Sequence, residues 1–194
     1  MNRTLNMKTK KIAIGSDHAG FESKEKTRSE LLGLGLEVVD KGTNSLASVD
    51  YPDFAAAVGR AVVSGEVECG ILICGSGIGV SIAANKIPGA RAALCWNEES
   101  TRLAREHNDA NILCFGGRFI EPDQAARMVR LFLETKFAGG RHAQRVEKLA
   151  PVELPWCYSG GTGPESTVLI VVANVHIVSD KLRRHEMKRE KLVG

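Results

Sequence analysis

The feature that most constrains this chain is a regular alternation of short apolar runs with longer segments of helical periodicity. The run CGILIC at 69–74 is apolar at nearly every position, as expected for a strand buried on both faces of a sheet. Parallel strands need long crossover connections, and a helix is the usual one. The alternation therefore predicts an α/β fold in which helices pack on both faces of a parallel sheet.

The same pattern places each element along the chain. Strands are expected at 11–16, 36–40, 69–74, 90–96 and 111–115, and helices at 21–34, 53–64, 98–107, 122–136 and 141–149, with one more helix after the glycine-rich stretch 75–79. In such sheets, ligands bind outside the carboxyl ends of the strands, near the point where the strand order reverses. The loops after strands one, three and four are therefore the expected location of a site.

The length of 194 residues fits one domain with an appendage. A Pro/Gly-rich break, PVELPWCYSGGTGP, separates a domain at 10–150 from a C-terminal extension at 151–194, in which a strand at 167–178 and a basic helical tail at 181–194 are expected. The tail holds six Lys/Arg and two Asp/Glu, so the other 180 residues are nearly neutral, with 20 basic and 21 acidic side chains. This balance argues against nucleic-acid binding by the body of the chain, because phosphate-backbone binding needs a concentrated basic surface. Nucleic-acid binding through the basic tail is an alternative.

Cysteine usage and hydropathy bear on the compartment. The cysteines at 69, 74, 95, 114 and 157 form an odd set without a CxxC pair, which argues against a disulfide framework and a zinc site. The first residues, MNRTLNMKTKK, lack the apolar core of a secretory signal. The longest apolar run, 168–178, is interrupted by Asn174 and His176 and is shorter than the about 18 residues that a membrane span needs. We expect a cytoplasmic protein without membrane contact.

The loop after the third predicted strand, GSGIG at 75–79, has three glycines in five positions. Glycine lets the backbone turn tightly, and consecutive N–H groups at a helix start form a cradle for an anion. A dinucleotide-binding turn is disfavoured because the third glycine of its pattern would fall at Val80, and a P-loop is excluded because no Gly-Lys-Ser/Thr follows. A glycine turn with a purely structural role is the remaining alternative.

Several polar residues at predicted element ends are candidates for chemistry, and each has a structural alternative. Cys74 ends the third strand beside the glycine loop, where a thiol ionises more readily, or it is one more buried cysteine. Asp17 and His18 follow strand one and can exchange protons with a ligand, although an aspartate there also caps a helix. His107 and Asn108 end a helix, where a histidine also satisfies the helix C-terminus.

Three arginines form a candidate phosphate clamp. Arg141 and Arg145 are four residues apart and so share one helical face, and Arg118 follows strand five after a Gly-Gly turn. Guanidinium groups suit this task because they bind phosphate through paired hydrogen bonds. The alternative for Arg141 and Arg145 is a solvated basic face.

Together these segments resemble the type B ribose-5-phosphate isomerases, within a wider group that includes galactose-6-phosphate and allose-6-phosphate isomerases. The matching stretches, in family order and covering about residues 10–150, are IAIGSDHAGF (12–21), VVDKGT (38–43), DYPDFA (50–55), GILICGSGIGVSIAANK (70–86), REHNDANILCFGGR (105–118) and GGRHAQRVE (139–147). The resemblance implies a doubly wound, Rossmann-like three-layer sandwich with a five-stranded parallel sheet, followed by a C-terminal extension that the family does not share.

The resemblance also implies an activity and an assembly. The expected reaction is the interconversion of ribose 5-phosphate and ribulose 5-phosphate through an enediolate, without metal or cofactor. A six-carbon sugar-phosphate isomerase and a non-catalytic sugar-phosphate-binding module are the alternatives. The expected assembly is a homodimer, or a dimer of dimers, in which each active site is built from two subunits.

Roles for the glycine-loop residues follow from the same resemblance. Cys74 is the expected general base that moves a proton between C1 and C2, because the glutamate that one branch of the family uses in this loop is replaced here by Val80. Ser76 is expected to assist at the substrate oxygen. The amides expected to stabilise the enediolate belong to Gly75, Gly77 and Gly79.

The resemblance assigns the other candidates to ring opening and phosphate binding. Asp17 and His107 are expected to open the furanose ring, with Asn108 beside the developing enediolate. The residues expected to bind the phosphate are His18, Arg118, Arg141 and Arg145.

Overall fold

A computed structural model of the chain describes residues 11–149, and the extension at 151–194 lies outside the described residues. The strands are β1 (Lys11–Ser16), β2 (Glu37–Asp40), β3 (Cys69–Cys74), β4 (Ala92–Leu94) and β5 (Ile112–Gly116). The helices are α1 (Phe21–Gly33), α2 (Tyr51–Val63), α3 (Ile78–Ala84), α4 (Glu98–Asn108), α5 (Pro122–Glu134) and α6 (Arg141–Glu147), and a 3₁₀ turn at His18–Gly20 precedes α1. Between residues 11 and 149, no helix is both long and apolar enough to cross a bilayer.

The five strands form one parallel sheet in the order β2-β1-β3-β5-β4, as the sequence predicted for the fold class. The order reverses between β1 and β3, so these two strands flank the expected ligand crevice. The prediction that the loop after strand four borders this crevice is wrong. β5 is inserted between β3 and β4, which makes β4 an edge strand, and the loop after β5 lies next to the loop after β3.

Two apolar cores cover the two faces of the sheet. On one face α1, α4 and α5 pack on the sheet, and this core includes Leu31, Phe115 and Met128. On the other face α2 and α3 contribute Val58 and Val80. Burying one such large side chain stabilises the fold by roughly 1.5–3 kcal/mol. Because β3 lies between both cores, its sequence has no polar side, which explains the unbroken apolar run.

The fourth strand is shorter than predicted, Ala92–Leu94 instead of 90–96, because local hydrogen bonds occupy both ends of the apolar run. At its start, the Ala90 amide donates to the Ile87 carbonyl at 2.9 Å and closes a turn after α3. At its end, Asn97 caps α4, and its side chain accepts a hydrogen bond from the Ser100 amide at 2.8 Å. Neither hydrogen bond can be recognised from a hydropathy pattern.

An ion pair between a buried lysine of α1 and the last residue of β2 fixes the start of the loop after β2. Lys24 is 1% exposed, and its Nζ lies 2.5 Å from Oδ2 of Asp40. The other carboxylate oxygen of Asp40 accepts a hydrogen bond from the Gly42 amide at 2.9 Å, and the Thr43 amide donates to the Ser16 carbonyl at 3.0 Å. This loop reaches the end of β1 and then enters α2, so the pair fixes residues that border the crevice.

The turn between β3 and α3 depends on Gly77, which has a φ of +79°. A Cβ at this position would lie 2.6 Å from Cδ1 of Leu94 and 2.7 Å from the carbonyl carbon of Phe115. The backbone there is both left-handed and in close contact with β5, so only glycine fits. The glycine loop therefore has a structural role as well as any chemical one.

We expect the substitution Gly77→Ala to destabilise the fold by roughly 2–4 kcal/mol, because left-handed strain and a steric clash add together. Gly35→Ala is the matched control, since Gly35 has a φ of +78° but a Cβ there would meet nothing within 4 Å. It should cost only about 1 kcal/mol, the strain alone. Urea unfolding of both variants measures the difference, and equal losses would contradict the clash.

Candidate active site

A cavity of about 270 Å³ opens at the carboxyl ends of β1, β3 and β5. Its position beside the reversal in strand order matches the prediction for the loops after strands one and three. The loop after β5 supplies the third wall. We call the following predicted residues that line it the cysteine half-site: Asp17, His18, Cys74, Gly75, Ser76, Gly79 and Arg118.

Cys74 is the last residue of β3 and faces this cavity. Its Sγ accepts a hydrogen bond from the Gly77 amide at 3.1 Å, which the left-handed turn at Gly77 aims back at the strand end. A donated N–H stabilises a thiolate more than a thiol. The side chain is 5% exposed, so the sulfur is shielded from bulk water while it borders the cavity.

Cys95 and Cys114 differ from Cys74, which packs in the second core but also borders the cavity. Burial raises the pKa of the Cys114 thiol well above its ordinary value. Burial also raises the pKa of Cys95, although hydrogen bonds with the Thr101 and Ser100 side chains act in the opposite direction. Both are therefore neutral, small apolar side chains near pH 7. Within residues 11–149, no group of three or more His, Cys, Asp or Glu side chains is arranged to hold a metal ion.

Asp17 and His18 lie at the end of β1, and both are held by backbone amides. One carboxylate oxygen of Asp17 accepts a hydrogen bond from the Gly20 amide at 3.0 Å, so Asp17 caps the 3₁₀ turn while it lines the cavity. His18 Nδ1 accepts a hydrogen bond from the Val49 amide at 3.2 Å. The proton of a neutral His18 therefore lies on Nε2, which becomes a donor.

Ser76 and Arg118 complete the cysteine half-site from neighbouring loops. Ser76 is exposed, and its Oγ accepts a hydrogen bond from the Ile78 amide at 3.3 Å. The Arg118 guanidinium lies over Gly75, where a Cβ would stand 3.2 Å from Cζ of the arginine. Gly75 therefore leaves room for the guanidinium at the cavity.

Tyr51 lines the same cavity and was not among the residues predicted from the sequence. It is the first residue of α2, and its ring packs so closely on Gly79 that a Cβ there would lie 2.7 Å from Cζ of the tyrosine. The signal was present in the matching stretch DYPDFA. Only the fold reveals that this helix start reaches the glycine loop.

A second group of residues, three of them predicted from the sequence, gathers where α4 ends and α6 packs against it. It borders a different cavity of about 290 Å³. We call its members the histidine half-site: His107, Asn108, His142 and Arg145. Arg141 is exposed on the same helix as Arg145. His142 was not predicted, although it stands between the two arginines in the matching stretch GGRHAQRVE.

His142 is buried, and its ring stacks on that of His107, with centroids 4.1 Å apart and planes within 4° of parallel. Burial lowers the pKa of His142, and electrostatic interactions with His107, Arg141 and Arg145 lower it further, while Glu106 opposes them. His142 is therefore a neutral ring at pH 7.

The two half-sites lie at opposite edges of the sheet. Cys74 is at the carboxyl end of β3, whereas α4 starts after β4 and returns to the amino end of β5, so His107 lies near the amino edge. An 11-residue helix such as α4 spans about 16 Å. The two cavities share no lining residue. Asp17 and His107, the expected ring-opening pair, therefore do not meet within one chain.

Comparison with known proteins identifies relatives along most of the described region. The ribose-5-phosphate isomerase B of Escherichia coli (strain K12) is 49% identical over 144 residues, which is 74% of this chain and 97% of that protein. A solved structure of ribose-5-phosphate isomerase B from Clostridium thermocellum has a TM-score of 0.73 at 52% identity, and covers 74% of this chain and 97% of that one. The type B enzyme of Trypanosoma brucei has a TM-score of 0.72 at 48% identity, with 74% and 99% covered.

A family model described as Ribose/Galactose Isomerase matches residues 12–149, which include the half-site residues. The chain belongs to this family, and by class it is an isomerase. The resemblance inferred from the six sequence stretches is thereby confirmed.

Proposed function

We propose that this chain interconverts ribose 5-phosphate and ribulose 5-phosphate. The observation that carries the proposal is the sulfur of Cys74, which borders a cavity and accepts the Gly77 amide hydrogen at 3.1 Å. Around it stand a carboxylate, a hydroxyl and a guanidinium, the groups that a sugar phosphate needs. The relatives named ribose-5-phosphate isomerase B support this substrate over a six-carbon sugar phosphate.

Cys74 acts as the general base in this proposal. The thiolate removes the proton from C2 of the open-chain aldose, the C–H electron pair forms the C1–C2 double bond, and the carbonyl oxygen becomes an enediolate oxygen. The thiol then returns a proton to C1 while the proton of the C2 hydroxyl passes to the C1 oxygen, which leaves the carbonyl at C2. N–H groups of the loop 75–79 stabilise the negative oxygen, by ~3–4 kcal/mol for a well-placed donor, and Ser76 assists at a substrate hydroxyl.

Ring opening and phosphate binding fall to the remaining residues. Asp17 and His107 exchange the protons that open the furanose ring, with Asn108 beside the enediolate. The phosphate is bound far from the reacting carbons. Its binding positions the sugar, and the residues that hold it do not touch the bonds that change. His18 donates from Nε2, because Val49 occupies its other nitrogen. The arginines that complete the phosphate site are Arg118, Arg141 and Arg145.

Such a mechanism requires two chains, because the cysteine and histidine half-sites are at opposite edges of one sheet. We infer a homodimer, or a dimer of such dimers, in which the histidine half-site of one subunit closes the cysteine half-site of the other. Each cavity alone, about 270 and 290 Å³, is at the small end of ligand pockets. In a two-fold dimer, each subunit contributes its cysteine half-site to one site and its histidine half-site to the other. Two complete sites therefore form together.

Exposed apolar side chains at the carboxyl edge of the sheet support this assembly. Trp96 is 64% exposed and Phe119 is 74% exposed, both in loops at the carboxyl edge. Ile78 and Ile82 are about half exposed on one face of α3. Large exposed apolar side chains at one edge of a sheet are typical of a surface that another protein covers. The second subunit is the occupant that also supplies His107.

The isomerase assay with Cys74→Ala tests the base directly. We expect the wild-type protein to convert ribose 5-phosphate, and the variant to lose at least ~10²-fold in kcat, the scale of a removed general base. Cys69→Ala is the matched control, because Cys69 begins the same strand that Cys74 ends. It should retain wild-type turnover.

Three outcomes would contradict this function. Unchanged turnover of Cys74→Ala would exclude the thiol mechanism. Conversion of allose 6-phosphate in preference to ribose 5-phosphate would transfer the chain to the six-carbon branch. Sugar-phosphate binding by the wild-type protein without any turnover would make it a binding module.

Mixing two inactive variants tests the shared site. A heterodimer of Cys74→Ala and His107→Ala has one site with both lesions and one site with neither. After subunit exchange at equal amounts, we expect the mixture to regain about a quarter of wild-type activity, since half of the dimers are mixed and each has one intact site. Subunit exchange is verified by native mass spectrometry of differently tagged chains. Confirmed exchange without regained activity would mean that the sites are not shared.

A further inference from the structure

His142 is a buried imidazole for which the proposed mechanism has no role. Its ring lies 4.1 Å from that of His107 and within 4° of parallel, so the two form a face-to-face stack. His107 belongs to the last turn of α4, and His142 belongs to the first turn of α6. The contact thus joins two helices that are separate in the sequence, at the point where the proposed ring-opening histidine lies.

The backbone before α6 determines where His142 points. Two consecutive glycines there, Gly139 and Gly140, have φ angles of +64° and +54°, which residues with a Cβ adopt only under strain. The His142 amide donates to the Gly139 carbonyl at 3.0 Å, and the Ala138 amide donates to the Glu106 carbonyl on α4 at 3.0 Å. The segment is therefore fixed to α4 before the helix begins.

Because the segment before α6 is fixed to α4, the two faces of α6 have different surroundings. His142 is turned inward and is 9% exposed, whereas Arg141 and Arg145 are exposed. The arginines can therefore reach a phosphate while the residue between them packs on His107. The short helix is a rigid support for all three groups.

The charged groups around His142 favour a neutral ring. Burial, His107, Arg141 and Arg145 all disfavour its protonated form, and Glu106 is the one nearby group that acts the other way. A neutral stack partner suits a histidine that gains and loses a proton, because two protonated rings at this separation would repel each other.

We propose that His142 is a positioning residue, whose parallel stack fixes the ring plane of His107 so that its imidazole meets the sugar ring oxygen in the facing subunit. This inference rests on the proposed function. A free histidine side chain can occupy several rotamers, and a misplacement of about 1 Å costs on the order of 10²-fold in rate. The stack restricts that freedom without any contact between His142 and the reacting atoms.

If His142 positions His107, substitution of His142 should slow one reaction of the site and leave another at its ordinary rate. Conversion of ribose 5-phosphate needs the furanose ring to open, and His107 serves this step. Ribulose 5-phosphate has no ring to open, because its O5 carries the phosphate. Exchange of its C1 hydrogen with deuterated solvent therefore reports only proton transfer at the Cys74 side of the site.

The test compares His142→Ala and His142→Phe with the wild type in the full-length protein. Gln144→Ala, an exposed position on the same helix, is the matched control. For His142→Ala we expect a loss of about 10-fold or more in kcat on ribose 5-phosphate, with KM within about 2-fold. Deuterium exchange into ribulose 5-phosphate, followed by NMR, should remain within about 2-fold of the wild type.

His142→Phe restores a flat ring without a titratable group, so it should recover kcat to within about 3-fold of the wild type. Equal losses in conversion and exchange would overturn the proposal, since a merely structural role predicts them. A raised KM that phenylalanine does not rescue would also overturn it, because His142 would then bind substrate directly. Unchanged kcat in His142→Ala would do the same. A wild-type protein that fails to convert ribose 5-phosphate would instead refute the proposed function.

Discussion

All five strands of the sheet run in one direction, and this constraint determines the rest of the molecule. Every strand ends at the same edge, so the loops after β1, β3 and β5 meet and form one cavity. Every helix that follows a strand must return to the opposite edge before the next strand begins. His107 is carried to that far edge because it ends α4, whereas Cys74 stays at the near edge because it ends β3. A parallel sheet thus divides the site, and symmetry between two chains is the simplest way to reunite it.

Close packing at the carboxyl edge of the sheet fixes the backbone beside the cavity. Gly77 turns with a positive φ into a space bounded by Leu94 and Phe115, and the same turn directs its amide toward the Cys74 sulfur. The glycine loop therefore has the structural role that was one of the two interpretations of its sequence. It is a structural turn that only glycine permits, and it presents a donor to a thiol.

The sequence predicted the elements well where a single physical cause determined the pattern. β3 was predicted with its observed bounds, because a strand between two cores must be apolar throughout. β4 was predicted too long, because a turn at Ala90 and the cap at Asn97 compete with strand pairing at both ends of the run. The position of β5 between β3 and β4 was not predictable from the order of elements, since either neighbour satisfies a right-handed crossover.

The candidate site residues divide in the same way, into those with a local sequence signal and those that depend on contacts between distant elements. Residues in the glycine loop and after strand one were predicted because strand ends and glycine patterns are local signals. Tyr51 and His142 were missed, although both lie within matching stretches. The role of each side chain depends on a ring contact between distant elements. A tyrosine at a helix start and a histidine between two arginines have many ordinary explanations in a sequence. Only the fold shows which ring each of them touches.

In the proposed enzyme, one chain supplies Cys74 and another supplies His107 to the same substrate. A crystal structure of the protein with a phosphorylated hydroxamate, a mimic of the enediolate, shows which chain each contact comes from. We expect the hydroxamate to contact Cys74 Sγ and the 75–79 amides of one chain, and the His107 and Arg145 side chains that contact it to come from a second chain. A bound analogue whose protein contacts all come from one chain would refute the shared site.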